Sequence, residues 1–207
     1  AYDGQPMGVF GEACVDKYGF TREQQDDFAI ESVKRAQAAV ANGAFADEIA
    51  AVTVSSRKGE VIHATDEQPG KSDIGKIPTL RAAFKKDGTI TAASSSSISD
   101  GAAAVVLMGA ETAAANGIAA LARVVAQATH SHEPEWFTTA PIGAIEKVLA
   151  KAGWNVADVD LFEINEAFAT QSLVCQDWLH LDPTKVNPRG GAIALGHPVG
   201  CSGARIL

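Results

Sequence analysis

Asn187-Pro-Arg-Gly-Gly-Ala-Ile-Ala-Leu-Gly-His-Pro-Val-Gly-Cys-Ser-Gly203 sets a single histidine, His197, among five glycines. A backbone with so many residues lacking Cβ either adopts positive φ or lets another group come very close, and an imidazole there is held by a turn rather than packed on a face. His197 is therefore a catalytic candidate. The plain alternative is a glycine-rich strand-to-helix loop in which the histidine is incidental. Upstream, Val-Asp-Leu-Phe-Glu-Ile at 159–164 reads as a short buried strand that runs into Asn165-Glu-Ala-Phe-Ala169 and a helical pattern ending near Leu179. An Asn at a strand-to-helix junction carries a carboxamide that can orient a water or donate to an oxyanion, and Asn is equally one of the best helix N-caps. Both readings of Asn165 stand at this point. Glu166 falls in the expected first turn of the helix, where a carboxylate suits the helix dipole without any catalytic role.

Working outward, Thr21-Arg-Glu-Gln24 has the form of a capping box, and Phe28, Ala29, Val33, Ala36 and Val40 line one face of a helix that stops at Asn42-Gly43. Residues 49–55 and 60–64 alternate as strands around Arg57-Lys-Gly59, which predicts a hairpin. Residues 65–78 mix Gly, Pro and charge with no period and are expected to form a surface loop. From Gly101 the sequence turns small and apolar. Residues 102–108 predict a buried strand, 110–116 a short helix, 121–129 a second strand, and 141–152 a helix with Pro141 near its start and Gly153 just past its end. Strands alternating with helices mean α/β layers.

With 207 residues, 46% of them hydrophobic and only 20% charged, the chain has enough apolar material for an extensive core in one large or two small domains. A formal net charge of −8 argues against a general nucleic-acid surface. No apolar stretch reaches the length of a membrane span, so no membrane partner is expected. Cys14, Cys175 and Cys201 follow no metal-ligand or disulfide spacing, which fits reduced thiols in the cytoplasm and predicts no metal site. Residues 1–11 hold no signal-peptide pattern, and Ser202-Gly-Ala-Arg-Ile-Leu207 begins a helical pattern without a cap, so both ends read as boundaries of an internal fragment.

The two strings NEAFA at 165–169 and N-x-x-GGAIALGHP-x-G-x-SG at 187–203 together resemble the thiolase family. Met7-Gly8 followed by Glu12 is similar to that family's M-G-x-x-x-E stretch, and Ser94-Ser-Ser-Ser-Ile-Ser-Asp-Gly-Ala-Ala-Ala104 is similar to its N-A-S-x-x-N-D-G-A-A-A segment. The resemblance runs the length of the chain in order. It implies a thiolase-like layered α-β-α-β-α fold, here partial, with an α+β loop domain: residues 1–98 covering the coenzyme A site, 99–120 closing the first thiolase half, and 121–207 forming most of the second. It also implies reversible Claisen condensation of two acetyl-CoA molecules to acetoacetyl-CoA and coenzyme A through an acyl-cysteine. No cofactor beyond the thioester substrates is implied, and the full-length protein is expected to be a homodimer or homotetramer.

By the same resemblance, His197 is the base that activates the nucleophilic cysteine and then donates toward the thioester oxygen, while Asn165 holds the water that completes that oxyanion site. Ser96 corresponds to a serine that contacts pantetheine, Lys76 to a phosphate partner, and Met7, Phe84 and Phe168 to apolar walls of the coenzyme A site. Plain readings stand beside these: a solvated loop charge for Lys76, core positions for Met7, Phe84 and Phe168. The family's two catalytic cysteines fall outside residues 1–207. Cys201 occupies a variable position of the motif and is read as packing, with Cys14 and Cys175 as core thiols. His130 and His132 are expected in a surface loop, too poorly supplied with partners for a metal. The alternatives are a 3-ketoacyl-CoA thiolase of longer chains and a non-catalytic coenzyme A-binding relative. A β-ketoacyl synthase is disfavoured, because that family places a histidine where Asn165 stands.

Overall fold

The computed structural model describes residues 2–207. In chain order the regular elements are α1 (Met7–Tyr18), α2 (Arg22–Ala41), β1 (Val52–Ser56), β2 (Gly59–His63), α3 (Gln68–Lys71), α4 (Ala110–Ala115), α5 (Ala140–Ala152), α6 (Ala169–Leu179), α7 (Ala192–Leu195) and α8 (Ser202–Ile206), with short 3-10 turns between them. Helix α2 is the post against which α3, α6, α7 and the 3-10 turn Ile74–Thr79 all lie. Its start is fixed as the sequence predicts: Gln24 N donates to Thr21 Oγ1 at 3.1 Å and Thr21 N donates to Gln24 Oε1 at 2.8 Å, so two otherwise orphaned amides are satisfied. Ala29, Val33 and Ala36 recur at helical spacing on its buried face, and their small side chains let Ile77 and Ala194 close on it.

A second cluster, Ile142, Phe162, Ile164, Cys175, Leu179, Leu181 and Val186, joins α5 and α6 to the segments that flank the two motif loops. Two smaller ones, Cys14–Phe20–Val174 and Val15–Ile90–Phe168, seat α1 on α6. The helix over 140–152 ends at Gly153 in the left-handed conformation, in line with the sequence reading. The predicted hairpin forms as the antiparallel pair β1–β2, in the register Val52↔His63 to Ser56↔Gly59.

Several expectations need correction. Residues 65–78 lie largely at the surface as expected but are not without regular structure: they contain α3 and the 3-10 turn, and Ile77 is buried because Ile74 and Ile77, one turn apart, pack on α2. Gln37 Nε2 holds this stretch in place by donating to Pro69 O at 2.9 Å and Ser72 O at 3.2 Å. Residues 102–108 and 121–129 are not buried strands. Val106 is 85% and Leu121 105% exposed, and no described segment forms a ladder with either run. An apolar run becomes a strand only when its backbone groups find a neighbour, and none is placed beside these two. Residues 159–164 do bury Phe162 and Ile164, yet they make only one isolated bridge, Phe162↔Val186, closed by Phe162 N donating to Lys185 O and Asn187 N to Phe162 O, both 2.8 Å. Finally, α6 begins at Ala169, with Phe168 rather than Asn165 at its N-cap.

The motif loop reaches α2 through Gly190. Its φ is +77°, and a Cβ built there would lie 2.5 Å from Ser32 O and 2.8 Å from Ala36 Cβ. Gly190→Ala therefore combines left-handed strain with overpacking against a helix backbone. We expect a loss on the order of 3 kcal/mol, a fall in Tm on the order of 10 °C by thermal unfolding. Gly70→Ala, where no atom lies within 4 Å of the added methyl, is the control and leaves Tm unchanged.

Candidate active site

Two loops that are far apart in sequence meet at the end of the second core cluster. Helix α7 is a single turn, and Gly196 turns the chain out of it at φ +89° so that His197 leaves the loop toward residues 97–98. There His197 N donates to Ser97 O at 2.9 Å. The imidazole is held from one side by Ser202 at the start of α8, whose Oγ lies 2.6 Å from Nδ1. On the other side Nε2 stands 3.5 Å from Asn165 Nδ2. A carboxamide nitrogen only donates, so Nε2 is the accepting atom and the ring proton sits on Nδ1. Ser202 Oγ accepts that proton's hydrogen bond and passes its own to Pro198 O at 3.3 Å. The result is a ring with its lone pair aimed at the cleft, the form a general base needs.

Asn165 caps nothing. The helix starts four residues later, no side chain caps it, and the Asn165 carbonyl instead accepts from Ala167 N at 3.1 Å. The half-buried carboxamide is left to face His197. Glu166 also departs from expectation. It lies before the helix, 1% exposed, with Oε2 accepting from Ser32 Oγ at 2.7 Å and Ile193 N at 3.2 Å, and Oε1 from Asn187 Nδ2 at 2.9 Å. Burial pushes its carboxyl above the ordinary range, against the pull of Asn187, Ser32, Ile193 N and the Arg35 charge.

Four of the five residues expected around coenzyme A lie close to one another and to the NEAFA loop. Phe168 is buried and meets Phe84 edge to face, ring centroids 5.9 Å apart. Phe84 lies over Gly8, next to Met7, which is 44% exposed. Ser96 is tied to the NEAFA loop, its N and Oγ both donating to Ala167 O at 3.1 and 3.3 Å. Lys76 is elsewhere, on the turn that packs against α2. Its ammonium pairs with Asp73 at 3.2 Å, and its side chain is 76% exposed.

All three cysteines are buried free thiols. Burial pushes the Cys175 thiol up to about 11, so it stays protonated. Thr170 Oγ1 points at Cys14 Sγ, and Cys201 packs close to Gly101. His132 is exposed as expected, while His130 is half-buried, its ring against Gly143. Among the described residues no helix is long and apolar enough to cross a membrane.

Sequence reading did not single out Ser202, Ser32 or Asn187. Ser202 was legible in principle, five residues beyond His197 in a turn, whereas Ser32 sits mid-helix with no local signal. Asn187, at φ 46°, gives both ends of its carboxamide to Ile164, accepting from its N and donating to its O at 2.8 Å each.

Comparison with known proteins finds matches along the whole chain. The family described as "Thiolase, N-terminal domain" matches residues 1–111, and "Thiolase, C-terminal domain" matches residues 118–207. A probable acetyl-CoA acetyltransferase of Dictyostelium discoideum is 49% identical over 208 residues, covering 100% of this chain and 50% of that protein. An acetyl-CoA acetyltransferase of Rhizobium meliloti is 48% identical, with 100% and 53% covered. The crystal structure of the Bacillus anthracis acetyl-CoA acetyltransferase superposes with a TM-score of 0.96 at 41% identity, over 99% of this chain and 52% of that one. A thiolase from Ascaris suum in complex with coenzyme A gives a TM-score of 0.90 at 46% identity, over 98% and 52%. The chain spans about half the length of the curated relatives it matches. Its architecture is a partial α/β thiolase fold.

The buried carboxyls carry a pH signature. Burial also raises Asp26, against its Arg22 hydrogen bond and charge. A carboxyl whose folded value is raised binds its proton more tightly folded than unfolded, so its contribution is full below the ordinary value of about 4 and is lost as pH rises through the folded value. Tm should therefore rise as pH is lowered towards the ordinary carboxyl value of about 4, and Glu166→Gln should flatten that slope. A slope of opposite sign in circular-dichroism melts would contradict the assignment.

Proposed function

This chain belongs to the thiolase family, and on that premise we propose that it is the histidine- and asparagine-bearing part of an acetyl-CoA acetyltransferase, which condenses two acetyl-CoA molecules to acetoacetyl-CoA and coenzyme A and runs the reverse. The observation that carries the reading is the meeting of His197 Nε2 and Asn165 Nδ2 at 3.5 Å, across 32 residues of sequence.

The chemistry follows from the two atoms. With Nδ1–H occupied by Ser202, Nε2 takes the proton of a cysteine thiol, and the thiolate attacks the thioester carbonyl. The imidazolium then carries an Nε2–H beside the developing oxyanion and returns the proton to the departing coenzyme A sulfur. Asn165 supplies the second donor, directly or through a water, at the same point. The thiol comes from elsewhere in the full-length protein, since Cys14, Cys175 and Cys201 are all buried and packed. Ser96, Phe84, Phe168 and Met7 form the coenzyme A side, and Lys76, which lies apart from them, meets a phosphate only by leaving its pair with Asp73. The reading requires no cofactor beyond the thioester substrates. We propose further a homodimeric or homotetrameric enzyme of fatty acid metabolism, with the cytoplasm as the compartment that suits its free thiols.

In the full-length enzyme, His197→Ala abolishes acetoacetyl-CoA cleavage, because the base and an oxyanion donor go together. Asn165→Ala costs on the order of a hundredfold in kcat. Ser202→Ala, which frees the imidazole to rotate and change tautomer, falls between wild type and His197→Ala. Turnover by folded Asn165→Ala at the wild-type rate would remove that residue from the chemistry.

Coenzyme A binding is a separate measurement. Calorimetry with coenzyme A on the Lys76→Ala/Ser96→Ala double variant is expected to show Kd raised on the order of tenfold, the loss of one charge-assisted contact. An unchanged Kd would take both residues out of the site.

A further inference from the structure

Resting on the thiolase reading above, we propose that Glu166 is a positioning residue for the reaction, a buried acceptor that fixes Asn165 and His197 relative to each other by tying their two loops to one another and to α2. Its oxygens take three donors from three places: Ser32 Oγ on α2, Asn187 Nδ2 at the head of the motif loop, and Ile193 N in the single-turn helix that delivers His197. Ser32 Oγ then accepts from Gly191 N at 3.1 Å, so the same carboxyl holds the loop at a second point through a hydroxyl. The fit is tight. A Cβ at Gly191 would lie 2.2 Å from Glu166 Cδ.

Residue 166 is bonded directly to Asn165, and Ile193 is four residues ahead of His197 with only α7 and Gly196 between. The 3.5 Å approach of Nδ2 to Nε2 is therefore set by a rigid path of few rotatable bonds that passes through the carboxyl. No cation pairs with Glu166 among the described residues; Arg35 spends Nη1 on Val186 O and Asn187 O at 2.7 and 3.5 Å. A desolvated carboxyl without an ion pair is poor value as a stabiliser, and its return is geometric. Every partner donates, so an amide in its place would turn an NH2 toward a donor and force at least one segment away. The residues around Phe168 and Phe84 do not bond to it, which separates positioning of the chemistry from binding of coenzyme A.

The test is Glu166→Gln and Ser32→Ala in the full-length enzyme, with kcat and KM for acetoacetyl-CoA measured on folded protein, and the imidazole 15N signals of His197 recorded beside them. Glu166→Gln is expected to lower kcat about a hundredfold, the cost of misplacing a reacting group by about 1 Å, with KM within about twofold of wild type and the His197 signals shifted. Ser32→Ala is expected to change both readouts in the same direction by less, and it decides the matter if Glu166→Gln does not fold. Wild-type kcat with unshifted His197 signals in whichever variant folds overturns the proposal, and a fall in Tm alone would show a purely structural residue. If the wild-type enzyme does not cleave acetoacetyl-CoA, the thiolase reading falls while the His197 signals still judge the coupling.

Discussion

The carboxamide of Asn187 does for Ile164 what a neighbouring strand would do, accepting from its N–H and donating to its C=O. Much else depends on that pairing. The segment 159–166 has no ladder to hold it; beside the Phe162↔Val186 bridge and the Glu166 carboxyl, it has Lys185 Nζ donating to Val159 O at 2.9 Å and this side chain. Without it, two buried backbone groups would lack partners just before the loop that carries Asn165. A left-handed φ of 46° at Asn187, strained for most side chains and least so for Asn, is the conformational cost of aiming the carboxamide there.

From this frame the polar groups sort into two kinds. Asn187, Glu166 and Ser32 are closed, each satisfied within the core. His197 and Asn165 are half-buried and meet only at 3.5 Å, which leaves donor and acceptor capacity for a third participant. Saturated groups hold geometry and unsaturated ones do chemistry, and here the two kinds are direct neighbours in the chain, open Asn165 beside closed Glu166.

How much was legible in the sequence follows from how local each signal is. The capping box at Thr21, the Pro141 start and Gly153 end of α5, and the β1–β2 hairpin are all written within a few residues, and each is present. His197 and Asn165 stood out by residue type and motif, but whether Asn165 capped a helix turned on where α6 begins, and the helix begins at Ala169 because residue 168 is still extended, bridged to Ser95. Glu166 was misread for the same reason, being assigned to a helical turn that is not there. The runs 102–108 and 121–129 show the limit most clearly. Composition reports which side chains want burial, whereas strand formation depends on a partner whose position no local pattern records.

Those runs have a further consequence, for association. Val105, Val106, Leu107 and Met108 in one, and Leu121, Val124 and Val125 in the other, combine exposed apolar side chains with backbone groups outside any ladder. Such a segment is an open template that accepts any strand of matching length, whether from a correct neighbour or from an identical run on another molecule. The register that these two segments take is the point at which correct pairing and self-association compete, and protein concentration tips the balance between them.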